Sequence, residues 1–292
     1  MSHDLRPYMR ERGCLVNPFI KWAGGKRQLL EHIHNRMPKK YNNYIEPFVG
    51  GGAVLFDLQP KTAYINDINR ALVNTYKQIK TSPEEVMDIT HQYDLRIQDD
   101  SLDKDGQKEV YYAIREEYNE KLINAEYDTQ SAALLLFLNK HCFNGLYRVN
   151  AKKGTFNVPF SNTTRDSFKR DNILDISKYL QNVNIKHGDF EALCNQAQAG
   201  DFVFLDSPYA PIKDDSFVSY TKEGFAKDDH ERLADQFKAM ANRGCFCMLT
   251  NHNTPFINEL YRDFNIQVVQ VKRLINRNAD DRTGEEVIIT NY

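Results

Sequence analysis

Residues 44–52 have the sequence Tyr-Ile-Glu-Pro-Phe-Val-Gly-Gly-Gly, in which an apolar run leads directly into three glycines. We predict a buried strand over residues 44–48, followed by a tight turn into a helix. Glycines at such a point let the backbone approach a ligand closely. The spacing is not the G-x-G-x-x-G of dinucleotide folds, and no Walker lysine is present. A plain turn without a ligand is the alternative interpretation.

The pattern of a strand, a turn and a helix recurs along the chain. The further predicted strands are residues 62–65, 183–186, 202–205, 245–250, 266–271 and 287–290, and the predicted helices are 69–80, 227–241 and 255–261. Strands that alternate with helices predict an α/β fold with a doubly wound, Rossmann-like sheet. Ligands of such sheets bind at the carboxyl ends of the strands.

The middle of the chain has a different pattern. Residues 83–142 look mainly helical and end in the apolar run 132–138, and residues 143–160 alternate aromatic and polar side chains around Lys152-Lys153-Gly154. The second segment is typical of a β-hairpin with a glycine-containing turn. We therefore predict a catalytic domain from residues 1–80 and 182–292, with residues 81–181 as an inserted domain. Residues 272–285, polar and charged between two strands, are expected to form a mobile loop.

Charge is distributed unevenly over a nearly neutral chain. The formal net charge of −2 argues against a protein that simply coats nucleic acid. Residues 140–170, however, contain one acid, Asp166, and seven basic residues: Lys140, Arg148, Lys152, Lys153, Arg165, Lys169 and Arg170. A local basic face suits an enzyme that visits DNA and leaves it again. A solvated face without a partner is the alternative.

Composition also limits the compartment and the cofactor class. The first 12 residues are charged and lack the apolar segment of a secretory signal, and no apolar run is long enough to cross a membrane. We expect an intracellular protein without a membrane partner. No cluster of His, Cys and carboxylate residues suggests a metal site.

Two acids follow predicted strands, where a ligand would bind. Asp67 is well placed to accept hydrogen bonds from the ribose hydroxyls of a nucleoside-containing cofactor, although it could also cap the next helix. Asp206-Ser207-Pro208-Tyr209 ends the very apolar strand 202–205. Asp206 and the backbone carbonyl of Ser207 can each accept a hydrogen bond from an amine, Pro208 stiffens the loop, and Tyr209 offers a flat face for a base. A turn with a capping Asp and a packed Tyr is the alternative.

Six segments, in order along the chain, resemble the motifs of the Dam family of DNA adenine methyltransferases. They are residues 19–27 (Phe-Ile-Lys-Trp-Ala-Gly-Gly-Lys-Arg), 46–52, 65–67, the stretch 143–160, 188–190 and 206–209. The resemblance implies a Rossmann-like methyltransferase sheet that binds S-adenosylmethionine and methylates N6 of adenine in double-stranded DNA. The implied cofactor-binding residues are Trp22, Lys26, Phe48, Gly50, Asp67, Asp189, Phe190 and Asp206.

The resemblance further implies that Asp206, Ser207, Pro208 and Tyr209 hold a flipped-out adenine. The family normally has D-P-P-Y here, whereas this chain has Ser207 in place of the first proline. In the family, the residue at the position of Ser207 acts through its backbone carbonyl, which serine retains. Pro208, which follows, still favours an extended backbone at Ser207. We therefore expect the activity to persist with a looser loop. His252, at another strand end, is the one histidine that we expect to line the site.

Residues 143–160 resemble the target-recognition stretch of the same family, which implies the target GATC and makes residues 81–181 the DNA-binding domain. Arg148 suits bidentate contact with guanine O6 and N7, and Asn144 can bind a base edge. Phe143 or Leu146 would wedge into the base stack, and Pro159 would contact a thymine methyl. The expected phosphate contacts are Lys140, Lys152, Lys153 and Arg165.

These residues predict direct transfer without a covalent enzyme intermediate, since positioning two bound reactants supplies much of the rate. A same-fold enzyme acting on cytosine N4 or an RNA base is one alternative, because the loop at residues 206–209 suits any exocyclic amine. A catalytically silent DNA-binding module is the other, with Ser207 as its mark. We expect a monomer in the bacterial cytoplasm or encoded by a phage, associated with the nucleoid, in restriction-modification or in DNA replication or repair.

Overall fold

The computed structural model describes residues 16–24, 26–212, 225–272 and 283–292. The described strands are β1 (Tyr44–Glu46), β2 (Ala63–Asp67), β3 (Val149–Asn150), β4 (Thr155–Phe156), β5 (Val183–His187), β6 (Phe202–Leu205), β7 (Phe246–His252), β8 (Asn265–Lys272) and β9 (Thr283–Thr290). The described α-helices are α1 (Leu30–His34), α2 (Ala53–Leu58), α3 (Arg70–Thr81), α4 (Pro83–Ile97), α5 (Lys104–Ile123), α6 (Thr129–His141), α7 (Arg170–Leu180), α8 (Phe190–Cys194), α9 (Lys227–Asn242) and α10 (Pro255–Leu260). Short 3-10 helices cover Lys26–Gln28 and Phe143–Gly145.

The main sheet has seven strands in the order β5-β2-β1-β6-β7-β9-β8. Strands β5, β2, β1, β6 and β7 run parallel, and β9 and β8 complete one edge in antiparallel pairing. The strand order reverses between β1 and β6, where Tyr44 pairs with Phe202. A doubly wound sheet opens a crevice at the carboxyl ends of its strands at such a reversal. The fold therefore places the loops after β1 and β6 beside one another.

Three apolar clusters hold this arrangement together. One covers a face of the sheet with α3 and α7, and a second covers the other face with α8, α9 and α10. The third lies in the insertion, where Tyr111, Tyr118 and Phe137 are fully buried between α4, α5, α6 and the β3–β4 hairpin. Helix α7 packs on the sheet through Ile173, Ile176 and Leu180 rather than on the third cluster.

The predicted α/β fold with its doubly wound sheet is confirmed. Strand β6 has the predicted bounds, and the hairpin around residues 152–154 is present, although β3 and β4 are only two residues long. The parallel pattern does not extend to the last two strands, because β9 returns antiparallel beside β7. The expected mobile loop 272–285 was drawn too wide, since Lys272 belongs to β8 and residues 283–285 to β9. Its remaining residues, 273–282, lie outside the described residues.

Among the described helices, none combines the length and the apolar character needed to cross a membrane.

The glycine at the start of α2 is the tightest point of the loop after β1. Gly52 has a φ of 70°, and a Cβ there would lie 2.5 Å from the Tyr76 hydroxyl oxygen and 2.8 Å from the Phe56 ring. Both neighbours are fully buried, so neither can move away easily. Gly154 provides a matched comparison, because its φ is 67° but a Cβ would meet no atom within 4 Å.

We predict that Gly52→Ala lowers the free energy of unfolding by about 2–5 kcal/mol, because strain at positive φ adds to steric overlap in a packed core. Gly154→Ala, which has the strain alone, should cost about 1 kcal/mol. Urea denaturation of both variants measures the difference. Equal losses in the two variants would contradict the close packing around Gly52.

Candidate active site at the carboxyl edge of the sheet

Asp206 follows β6 directly and stands at the strand reversal. Its Oδ1 lies 2.7 Å from Lys26 Nζ and accepts a hydrogen bond of 3.0 Å from the Thr250 hydroxyl. Burial raises the pKa of the Asp206 carboxyl, while the Lys26 ammonium and the Thr250 hydroxyl oppose this rise. The two partners thus favour a carboxylate that can act as a hydrogen-bond acceptor.

Lys26 joins the N-terminal segment to this loop. Its side chain is 7% exposed, and besides Asp206 its ammonium donates a hydrogen bond of 2.8 Å to the Gly24 carbonyl. The same nitrogen lies 4.4 Å from the centre of the Tyr209 ring, a cation–π distance. A single buried cation therefore contacts both the acid and the aromatic residue of the loop.

Tyr209 and Ser207 complete the loop after β6. The Tyr209 hydroxyl donates a hydrogen bond of 2.7 Å to Glu286 Oε2, and its ring meets that of His252 edge-on at 4.8 Å. Burial raises the pKa of Tyr209 well above its usual value, so the hydroxyl keeps its proton. Ser207 is 2% exposed, and its buried hydroxyl has no hydrogen-bond partner among the described residues.

The loop after β1 is fixed by groups from β2 and α3. The Gly50 N–H donates 3.0 Å to Asp67 Oδ2, and the Tyr76 hydroxyl donates 3.0 Å to the Gly50 carbonyl. Asp67 Oδ1 also accepts 2.9 Å from the N–H of Asn69, the residue that caps α3. A carboxylate has about four acceptor positions, and the N–H groups of Gly50, Ile68 and Asn69 bind to Asp67. Because Asn69 caps the helix, the capping alternative for Asp67 is wrong, and its ribose-binding role stays a prediction.

Three further side chains define the surroundings of this loop. Burial raises the pKa of Glu46 well above its usual value, and Tyr44 donates 2.9 Å to its Oε2. The side chain of Asn66 donates 2.8 Å to the Gly188 carbonyl and so ties the end of β2 to the end of β5. Ile68, beside Asp67, leaves an apolar side chain 71% exposed.

Trp22 links the glycine loop to the inserted segment. A Cβ on Gly50 would lie 2.9 Å from the Trp22 ring, so glycine is required for this close approach. The indole also stacks on Tyr147, with ring centres 5.2 Å apart. Tyr147 directly precedes Arg148 in the recognition stretch.

Asp189 and Phe190 begin α8 at the end of β5. Asp189 Oδ1 accepts 2.9 Å from the Glu191 N–H, and its Oδ2 forms an ion pair of 2.9 Å with Arg232. Phe190 packs against Phe48 with ring centres 5.2 Å apart. These residues thus lie along the same edge as Asp67 and the glycine loop.

The edge has the chemical features that an S-adenosylmethionine site requires. Asp67 retains acceptor positions for ribose hydroxyls, and Ile68 beside it presents an apolar surface to an adenine ring. A Cβ on Gly188 would meet no atom within 4 Å, so the space above the end of β5 is open. The residues present therefore fit the cofactor.

The predicted DNA-binding residues lie on the hairpin, on the turn before it and at the end of α6. Phe143 and Leu146 are 52% and 40% exposed, and Asn144 is in the left-handed region with a φ of 56°. Arg148 is exposed, and its Nε donates 2.7 Å to Asn157 Oδ1. Pro159, Lys152 and Lys153 are exposed as well, and Lys140 is half-buried.

The structure brings Lys26, Asp206, Ser207 and Tyr209 into one cluster. It adds Thr250 and Glu286, which the sequence analysis missed, and places His252 against Tyr209 as expected. Thr250 and Glu286 lie on β7 and β9, and their approach depends on strand pairing across 40 to 80 residues. Their local sequence carries no signal except that each lies near the end of a predicted strand.

A family model and several known proteins are similar to this chain over most of its length. A family model described as D12 class N6 adenine-specific DNA methyltransferase matches residues 22–275. The chain is 41% identical to the type II methyltransferase M1.LlaDCHI of Lactococcus lactis subsp. cremoris, over 95% of this chain and 96% of that protein. It is 43% identical to the type II methyltransferase M.MjaIII of Methanocaldococcus jannaschii, over 95% and 99%. A DNA adenine methylase of Vibrio cholerae serotype O1 is 33% identical over 93% and 94%.

The orphan hydroxyl of Ser207 leads to a stability prediction. Ser207→Ala removes a buried oxygen that has no partner among the described residues, so the free energy of unfolding should stay unchanged or rise by up to about 1 kcal/mol. Thr250→Val is the matched control, because it removes a hydroxyl that does have a partner, Asp206. It should cost about 1–3 kcal/mol. Urea denaturation measures both, and a destabilised Ser207→Ala would show that the hydroxyl makes a stabilising contact.

Proposed function

Because the chain belongs to the D12 class of N6 adenine-specific DNA methyltransferases, we propose that its target is the adenine of GATC in double-stranded DNA. Membership of this class makes the chain an S-adenosylmethionine-dependent enzyme that methylates adenine N6 in DNA. This decides against cytosine N4 or RNA as the substrate, and against a silent binding module. The proposal for GATC is supported by residues 143–160, which resemble the Dam recognition stretch and present Arg148 on the surface.

We propose that residues 81–181 form the target-recognition domain and the remainder the catalytic domain. The separate apolar cluster of the insertion supports this division for residues up to 160, whereas α7 packs on the sheet cluster. Arg148 is the residue to which we assign one guanine of the target. Its anchoring by Asn157 uses one of the five guanidinium donors and holds the side chain for bidentate pairing.

We propose that a DNA phosphate binds at a polar depression on the surface of the inserted segment. Lys140 and Arg165 line a polar depression with Lys21 and residues 162–164. The Gln98 side chain donates 3.0 Å to the Thr164 carbonyl and so fixes one wall of this depression. Converging cations on a fixed backbone suit a DNA phosphate. Phe143 and Leu146, exposed at the turn, are the proposed wedge that supports flipping of the adenine.

The proposed chemistry depends on the loop after β6. Lys26 and Thr250 both contact Oδ1 of Asp206, so we assign the first N–H of the target amine to Oδ2 and the second to the Ser207 carbonyl. These bonds draw the nitrogen lone pair out of the ring, and Tyr209 holds the base by stacking. Bound S-adenosylmethionine supplies an electrophilic methyl group. Asp206 then accepts the proton that the amine loses and passes it to solvent.

The remaining proposals concern the setting of the enzyme. We propose a monomer that acts in the cytoplasm of a bacterium or in phage-infected cells, in association with the nucleoid. The relatives from Lactococcus lactis and Vibrio cholerae support the bacterial setting. Restriction-modification and DNA replication or repair are the two processes that such methylation serves.

Methylation of defined duplexes tests the target. Purified protein, S-adenosylmethionine and duplexes with GATC or with one changed base are combined, and the products are digested to nucleosides for mass spectrometry. We expect N6-methyladenine in the GATC duplex. Digestion of the same DNA with GATC-cleaving endonucleases that differ in sensitivity to adenine methylation locates the methyl group. N6-methyladenine confined to another sequence would overturn GATC but not the class of enzyme.

Arg148→Ala should relax discrimination at one guanine of the target by about 1–3 kcal/mol, measured as the ratio of kcat/KM on matched and mismatched duplexes. Lys152→Ala is the control, because a phosphate contact carries no sequence information. It should weaken binding to all duplexes. The slope of log affinity against log salt concentration should fall in magnitude by about one, because about one counterion fewer is released. An unchanged sequence profile for Arg148→Ala would count against the assignment of Arg148.

Activity should fall at low pH as Asp206 becomes protonated, and the raised pKa of this group places the fall above the usual range of an aspartate. Since the Lys26 ammonium opposes the rise, Lys26→Met should shift the acid limb of kcat/KM to higher pH. Thr250→Val should shift it in the same direction. An acid limb that stays in place in Lys26→Met would show that Asp206 is not the group that titrates.

A further inference from the structure

Three side chains from the neighbouring strands β7 and β9 hold the residues Tyr209 and Ala210 from outside their loop. These side chains are Asn251 and His252 at the end of β7 and Glu286 on β9, and His252 is paired in register with Glu286. The register of one antiparallel strand pair therefore sets all three positions relative to the loop after β6.

Both polar backbone groups of Ala210, its N–H and its carbonyl, form hydrogen bonds with side chains of β7. Its N–H donates 2.9 Å to Asn251 Oδ1, and its carbonyl lies 2.7 Å from His252 Nδ1, which donates to it. Asn251 is fully buried, and the His252 N–H also donates 2.9 Å to its Oδ1. Two N–H donors to one atom identify it as the amide oxygen, so the orientation of the Asn251 side chain is fixed.

The ring of Tyr209 is held at its far end. Its hydroxyl donates 2.7 Å to Glu286 Oε2, its edge packs on His252 and Lys26 lies over the ring. A tyrosine side chain has two rotatable angles, and a bond at the hydroxyl together with a fixed backbone restricts both. Without the hydroxyl contact, the ring retains freedom of rotation, and a base stacked on it loses its defined plane.

We propose that Glu286 is a positioning residue, which orients the Tyr209 ring for the flipped adenine through this hydrogen bond. The inference rests on the stacking role proposed for Tyr209. Glu286 contacts neither the amine nor the cofactor in this account; besides the hydrogen bond to Tyr209, its charge contributes to the raised pKa of the Asp206 carboxyl. Asn251 and His252 supply the fixed backbone on which that orientation depends.

A double-mutant cycle with Glu286→Ala and Tyr209→Phe tests the proposal. Each variant deletes one partner of the same hydrogen bond, so each should lower the single-turnover methylation rate by about 10-fold. The double variant should lose about 10-fold as well, rather than about 100-fold. Glu286→Gln keeps an oxygen acceptor and should restore the rate to within about 3-fold of the wild type.

Glu285, the residue before Glu286 on β9, provides the control. Glu285→Ala removes a carboxylate on the same strand that binds Asn253 and Gln270 instead of the loop, and the rate should stay within about 2-fold of the wild type. Thermal unfolding and calorimetric titration with S-adenosylmethionine are run on every variant. Cofactor affinity should be similar across the set, because a positioning role changes the rate. Glu286→Ala should unfold at a slightly lower temperature, since it leaves the buried Tyr209 hydroxyl without its acceptor.

The outcomes separate this inference from the proposed function. The cycle is run on whichever adenine-containing duplex the wild type methylates best, so an incorrect target sequence leaves it interpretable. Multiplicative losses, a wild-type rate in Glu286→Ala, or a Glu286→Gln variant as slow as Glu286→Ala would each overturn the role of Glu286. A wild-type protein that methylates a sequence other than GATC would overturn the target alone.

Discussion

The parallel pairing of β1 with β6 is the constraint on which the site depends. Tyr44 lies against Phe202 in this pairing, and the strand order of the sheet reverses there. The glycine loop after β1 and Asp206 after β6 therefore open into one crevice. Because both strands are buried under side chains from the two faces of the sheet, the positions of these loops are set by the core.

A single buried cation gives this crevice its electrostatic character. Lys26 neutralises Asp206 where burial alone would favour the protonated acid, and it covers the ring of Tyr209 at the same time. Hydrogen-bond acceptors that are oriented before the substrate arrives need no rearrangement during the reaction. The loop at residues 206–209 thus depends on a residue 180 positions earlier in the chain, which explains why the N-terminal motif and this loop belong to one site.

The serine in place of the first proline of the loop fits the same account. Its backbone carbonyl stays available, and its hydroxyl is buried without a partner among the described residues. The stiffness that a proline would supply comes instead from side chains outside the loop, which bind both polar groups of Ala210 and the hydroxyl of Tyr209. These contacts restrain the loop at its far end, and the looser loop expected at Ser207 stays a prediction.

Much of the fold was predictable because its signals are local. The strand at residues 202–205 is a continuous apolar run between charged and turn residues, and Asn69 caps α3 as its residue type favours. Strand β1 ends at Glu46 rather than at Phe48, since Pro47 has no N–H for a sheet hydrogen bond. The antiparallel return of β9 could not be predicted, because the direction of a strand depends on its partner and not on its own residues.

The site, like the fold, combines residues with a local sequence signal and residues that only strand pairing brings together. Asp67, Asp206 and Tyr209 follow strands and could be identified from that position, whereas Thr250 and Glu286 enter only through the pairing of β6, β7 and β9.

The most direct test of the account is a crystal structure of the protein with S-adenosylhomocysteine and a duplex that contains its target. We expect N6 of a flipped adenine within about 3 Å of both Asp206 Oδ2 and the Ser207 carbonyl oxygen. An adenine whose N6 is bound by other groups would contradict it.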